Sequence, residues 1–145
     1  MDKISVKKLR PGAVLPTYGT EYAAGADLYA CLEEPVTIGP GTTVMIPTGL
    51  AMELPTGYVG LIFARSSMGV KRDLAPANKV GVVDSDYRGE FMVALHNHGN
   101  REQRVENGER IAQLLIAPVF TPGFAEVEQL SDTVRGAGGF GSTGK

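Results

Sequence analysis

At 145 residues, with 43% hydrophobic and 21% charged side chains, the chain suits one soluble domain. Its formal charge of −2 gives no global basic field, which argues against long nucleic-acid chains or anionic membranes as partners, although a local cluster can still hold a small anion. A single cysteine, Cys31, excludes an internal disulfide and reads as a small apolar group, and no window approaches the ~18 apolar residues of a membrane-spanning helix.

The first segment, Met1 to Arg10, is polar and lacks an apolar signal core, so a cytoplasmic protein is expected. Nineteen glycines and nine prolines are spread along the chain as punctuation, which favours short strands joined by tight turns. Ala24 to Ala30 sets one acid, Asp27, among small residues and says little alone. Val36-Thr37-Ile38, the turn Gly39-Pro40-Gly41 and Thr42 to Ile46 read as a β-hairpin. A strand over Gly49 to Leu54 is broken by Pro55-Thr56-Gly57, and β-branched and aromatic character resumes from Tyr58 to Phe63. A short helix is predicted over Ser66 to Lys71. Phe91 to Leu95 is apolar on both faces, as expected inside a sandwich. Over Ile111 to Phe120, Ile111, Leu114 and Leu115 have helical spacing, but Gly108 and Pro118 limit the run to strand length. The expected fold is therefore an all-β sandwich or jelly roll, residues 1–134, with a glycine-dense C-terminal arm, 135–145, that is mobile until something holds it.

Several segments could carry chemistry. In the arm, unobstructed backbone N–H groups with Arg135, Ser142, Thr143 and Lys145 can wrap phosphate oxygens, and Phe140 can stack on a base; a disordered solubilising tail is the plainer reading. Gly139 to Lys145 nearly spells a phosphate-binding loop, but that loop needs a following helix and the sequence ends at Lys145. Gly81 to Glu90 compresses four charged groups and a tyrosine between two apolar strands, as in a rigid hairpin. Alternation there sets Asp84 and Asp86 on one face and Ser85 and Tyr87 on the other, and one poised carboxylate could activate a water. An ordinary Asp-rich turn is the alternative. Arg65-Ser66-Ser67 makes a phosphate-binding corner or a serine cap on the short helix. Gln113, an amide in an apolar strand, must find partners, either a ligand or the core. His96 and His98 share a strand face but lack a third metal ligand, so they read as structural.

Taken together, AGADLYA (24–30), RSSMG (65–69), GVVDSDYRGE (81–90), GERIAQL (108–114) and RGAGGFGSTG (135–144) resemble the five ordered motifs of the trimeric dUTPases. The resemblance spans nearly the whole chain, and the third and fifth motifs are its most specific parts. It implies a jelly-roll homotrimer that hydrolyses dUTP to dUMP and pyrophosphate, keeping uracil out of DNA and supplying dUMP for thymidylate. The three sites would lie between subunits, each closed by a neighbour's C-terminal arm. Asp84 resembles the family's water-activating carboxylate, and Tyr87 the ring against deoxyribose that leaves no room for a 2′-hydroxyl. Asn78 resembles the amide that reads uracil together with backbone groups of Gly81 and Val83. Arg65, Ser66, Ser67 and Gln113 resemble phosphate contacts; Arg135, Gly141, Ser142 and Thr143 resemble arm contacts to the terminal phosphates, and Phe140 the base-stacking lid. Mg2+ is implied as a cofactor held by the triphosphate and waters, with Asp27 supporting that region indirectly. Ala64, in place of a frequent Gly or Pro, and Ser142, where some members carry His, are small departures. The rival readings are a dCTP deaminase or bifunctional enzyme on the same fold and a non-catalytic nucleotide-sensing trimer.

Overall fold

A computed structural model describes residues 3–144; Lys145, counted above among the arm's donors, and the first two residues of the polar N-terminal segment lie outside them. In chain order the elements are β1 (Ser5–Lys8), β2 (Thr17–Tyr18), β3 (Ala26–Tyr29), β4 (Val36–Ile38), β5 (Thr43–Pro47), β6 (Leu50–Glu53), β7 (Tyr58–Phe63), α1 (Ser66–Lys71), β8 (Leu74–Pro76), β9 (Gly81–Val83), β10 (Met92–Asn97), β11 (Gln103–Val105) and β12 (Arg110–Pro118). The fold is all-β, as expected, and α1 and β7 occupy the spans predicted for them. A five-stranded sheet runs β2-β3-β12-β7-β9, a three-stranded sheet β5-β10-β8, and two ribbons pair β1 with β6 and β4 with β11. Leu28, Ile38, Ile46, Leu50, Ile62, Leu74, Val93, Val105 and Ile111, drawn from all four, meet in one buried cluster. A core shared by every sheet makes the whole a jelly-roll sandwich.

The hairpin expected over 36–46 does not form. Strand β4 pairs with β11, while β5 pairs with β10. The reason is Asn97, which is fully buried. Its carbonyl accepts from Gly41 N–H at 2.8 Å and its N–H donates to Thr42 at 3.0 Å, while its side-chain amide donates to Ile38 at 2.9 Å and to Arg101 at 2.7 Å. One residue of β10 takes up both ends of the turn, so the two arms diverge at a corner between sheets.

The hairpin expected around Asp84 is also corrected. Strand β9 pairs with β7, and β10 lies in another sheet. Strand geometry stops at Val83, and Tyr87 N–H bonds back to the Asp84 carbonyl at 3.2 Å, closing a tight turn. Two-residue alternation therefore does not sort Asp84 and Asp86 from Ser85 and Tyr87. Strand β10 is buried on one face only: Val93, Leu95 and Asn97 point inward, in line with Phe91 just before the strand, whereas Met92 is exposed.

The mixed spacing of β12 has a physical cause. Its register against β3 slips between Arg110 and Ala112, a β-bulge that adds Ile111 to the buried side beside Ala112 and Leu114. Beyond Pro118 no strand follows among the described residues, and Phe120, Phe124, Leu130, Val134 and Phe140 are almost fully exposed.

Candidate active site

Strand β9 is an edge strand, paired to β7 on one side only. Gly81 brings it close: a Cβ there would stand 3.1 Å from Cβ of Ile62. Beside this edge lies a recess of about 280 Å3 lined by Asn78, Gly81, Val83, Asp84 and Tyr87, with Met45, Ile62 and Phe91 supplying apolar wall. It sits near the lower end of the roughly 300–1,000 Å3 usual for small-molecule sites. Six sequence segments meet here: β5, β7, the β8–β9 connection, β9, the turn after it, and β10.

The turn that carries Asp84 is braced from several directions. Arg88 donates to the carbonyls of Ser85 at 2.7 Å and Tyr87 at 3.2 Å, and pairs with Glu53 on β6 at 3.2 Å. Tyr87 donates its hydroxyl to the Glu90 carbonyl at 2.9 Å, and its ring lies 6.0 Å from that of Phe91, tilted by 46°. The Glu90 carboxylate accepts from both guanidinium Nη atoms of Arg10 and from Gly49 N–H at 2.8 Å. Hydrogen bonding to Arg10, with help from Gly49 and against partial burial, holds the Glu90 carboxyl below the usual range, and raises Arg10 in turn. Gly49 can serve because it has φ +71° and no room for a side chain: a Cβ would stand 2.9 Å from Ala13 Cβ and 3.0 Å from Cys31 Sγ.

A second cluster lies elsewhere on the five-stranded sheet, where β12 runs between β3 and β7 and Gln113 stands level with both Asp27 and Phe63. Buried Asp27 accepts from Arg65 Nε at 2.7 Å and from Arg110 Nη1 at 3.4 Å. Arg65 also donates to Ser67 Oγ at 3.3 Å. Gln113 donates to the Ala64 carbonyl at 2.9 Å, and its Oε1 lies where a Cβ on Gly25 would come within 2.5 Å. The serine-cap reading fails, because Arg65 itself is the N-cap and no side chain caps α1. Both hydroxyls are spared that duty.

The two clusters are not one recess on this chain, since neither Arg65, Ser66, Ser67 nor Gln113 lines the cavity beside Asp84. Nor do Arg135, Phe140, Gly141, Ser142 or Thr143. That segment makes local turns, with Arg135 Nε donating to Gly138 O at 2.8 Å and Phe140 fully exposed at φ +51°. Sequence reasoning missed Arg110 and Arg10. Each pairs with an acid about eighty residues away, and no local pattern announces such a partner.

An edge-strand recess bearing a carboxylate and a tyrosine, with a separate carboxylate-braced arginine, marks a jelly-roll protein with a place for a small polar ligand. Residues 12–144 match the dUTPase family, and the chain belongs to it. It is 52% identical over 143 residues to the deoxyuridine 5'-triphosphate nucleotidohydrolase of Desulfitobacterium hafniense, covering 98% of this chain and 95% of that protein. The corresponding protein of Acinetobacter baumannii is 46% identical over 148 residues, with 99% of each chain covered. Among solved structures, the dUTPase of Staphylococcus bacteriophage 80alpha with dUPNHPP superposes with a TM-score of 0.92 at 30% identity over the whole of both chains. A mutant dUTPase from phage phi11 of S. aureus, described with a structural Mg(II) ion, matches with a TM-score of 0.82 at 25% identity over 90% of this chain and 100% of that one.

Proposed function

We propose that this dUTPase hydrolyses dUTP to dUMP and pyrophosphate, with Asp84 aligning a water for attack on the α-phosphorus and accepting its proton. The observation that carries the reading is the single recess shared by Asn78, Gly81, Val83, Asp84 and Tyr87. The unpaired side of β9 can meet a uracil edge with main-chain groups of Gly81 and Val83, and the Asn78 amide adds a donor and an acceptor. Tyr87 lies flat against the sugar and leaves no space for a 2′-hydroxyl. As water bonds to phosphorus, the bond to the bridging oxygen breaks and pyrophosphate departs. Repulsion between the anionic phosphates and the nucleophile is the main barrier, so spreading that charge and fixing the water supply most of the rate.

Arg65, Ser66, Ser67 and Gln113 contact phosphates in this reading. Asp27 acts behind them by aiming the Arg65 guanidinium, which a salt bridge with 2.7 Å separation does well. These residues join Asp84 in a homotrimer whose sites each draw on more than one protomer, and the arm of a further protomer closes the site with Arg135, Gly141, Ser142 and Thr143 on the terminal phosphates and Phe140 over the base. Mg2+ enters this reading as a companion of the triphosphate and its waters, with Asp27, whose two oxygens both face guanidinium groups, supporting that region indirectly. When bound, the metal withdraws charge from phosphate oxygens. A cytoplasmic setting goes with this reading of the family. Among the described residues no helix is long and apolar enough to cross a membrane. The nucleotidohydrolase relatives lend no support to a deaminase or a silent nucleotide sensor.

Pyrophosphate release from dUTP, against UTP, dCTP and dTTP, tests the activity directly. Asp84→Asn is expected to keep nucleotide binding and lose roughly 10²–10⁴-fold in rate, the usual worth of a general base. A near wild-type rate in that variant removes Asp84 from the role.

A further inference from the structure

Tyr87 would have freedom to move if it stood alone, since the residue is 45% exposed. Three contacts define where it sits. Below the ring is Gly89, and a Cβ at that position would stand 2.6 Å from Tyr87 Cζ and 2.9 Å from Cε2, well inside van der Waals contact. At the ring's far end the hydroxyl donates to the Glu90 carbonyl at 2.9 Å. That carbonyl is itself immobilised, because the Glu90 side chain is tied to Gly49 N–H at 2.8 Å and to Arg10 by a two-pronged ion pair. A bidentate arginine–carboxylate contact fixes geometry as well as contributing energy.

We propose that Gly89 and the Arg10–Glu90 pair form a specificity-determining seat for Tyr87, setting the height of its ring so that a deoxyribose is admitted and a ribose is turned away. The inference rests on the reading of Tyr87 as the group against the sugar. Arg10 and Gly89 touch no nucleotide in this scheme and are positioning residues. With the seat intact, the ring cannot sink toward Gly89 or lift from Glu90. An alanine at position 89 lifts the ring and loosens its hydroxyl, and loss of the Arg10 guanidinium frees the Glu90 backbone that receives it.

The experiment measures kcat/KM for dUTP and UTP, by pyrophosphate release, in the wild type, Tyr87→Ala, Gly89→Ala, Arg10→Ala and Arg10→Lys. A purely structural defect lowers both substrates together and leaves their ratio unmoved; a shifted ring changes the ratio. Gly89→Ala is expected to reduce the preference for dUTP about ten-fold or more, the scale on which pocket shape discriminates small groups. Arg10→Ala is expected to reduce it by a smaller factor, and Arg10→Lys to restore part of the loss. Arg10→Ala also keeps the question open to measurement if Gly89→Ala fails to fold, as checked by circular dichroism. If Tyr87→Ala relaxes selectivity while Gly89→Ala and Arg10→Ala retain it, the seat is refuted and the role of Tyr87 stands. If Tyr87→Ala itself leaves the ratio unchanged, the sugar contact is wrong and the seat falls with it.

Discussion

Gly25 illustrates how single atoms support the cluster around Arg65 and Gln113. Its missing Cβ is the space occupied by Gln113 Oε1, and Gln113 in turn holds the Ala64 carbonyl where the chain leaves β7 toward Arg65. Gly25→Ala is therefore expected to destabilise the fold by about 1–3 kcal/mol, the usual cost of overpacking, and to lower turnover by displacing Arg65. Thermal unfolding together with kcat would show both effects. Glu90 gives a pH signature. Its folded-state pKa is depressed, chiefly by Arg10, so its contribution to stability is present above the ordinary glutamate range and is lost as pH falls through the depressed value. Glu90→Gln should remove this component, so its stability curve should be flatter than wild type on the acid side, as read from unfolding midpoints against pH. Asp84, Tyr87 and Arg65 were singled out as candidates from the sequence because each sits in a compact motif. The partners that orient them, Arg10, Arg110 and Gly49, were not, because tertiary contact alone brings them near.

At the scale of elements, strands were easier to read than their pairings. The turn Gly39-Pro40-Gly41 and the charged run 81–90 both have the composition of hairpins, yet each links strands of different sheets. Composition reports that the chain reverses or bends; which edge it then joins depends on residues far along the chain. Asn97 decides the first case, and the unpartnered edge of β9 the second. The bulge in β12 likewise explains why its apolar residues fit neither a two-residue nor a helical period. Replacing Asn97 with Leu should strand the carbonyl of fully buried Ile38, at about 1–3 kcal/mol for the unpaired group. Urea denaturation should show a lower midpoint with an unchanged slope. An unaltered midpoint would mean that the corner is held by other contacts.

For the molecule as a whole, the all-β class followed from glycine and proline spacing, because it does not depend on which strands pair. Assembly did not follow from any period in the sequence. The apolar residues of 120–140, exposed on a single chain, are physically costly unless a neighbour covers them. Removal of residues 135–145 should leave a folded protein of unchanged assembly size that has lost most of its turnover, measured by light scattering and pyrophosphate release. Full activity after that truncation would exclude a closing role for the arm.

The separation of Arg65 from the Asp84 recess has a genetic consequence. If each site draws Asp84 and Arg65 from different subunits, as proposed, two inactive proteins, one carrying Asp84→Asn and the other Arg65→Ala, should rescue each other when refolded together, because some sites then receive an intact aspartate from one parent and an intact arginine from the other. Random mixing in equal amounts would revive roughly one quarter of the sites, whereas a catalytic centre confined to one polypeptide would stay dead in every mixture.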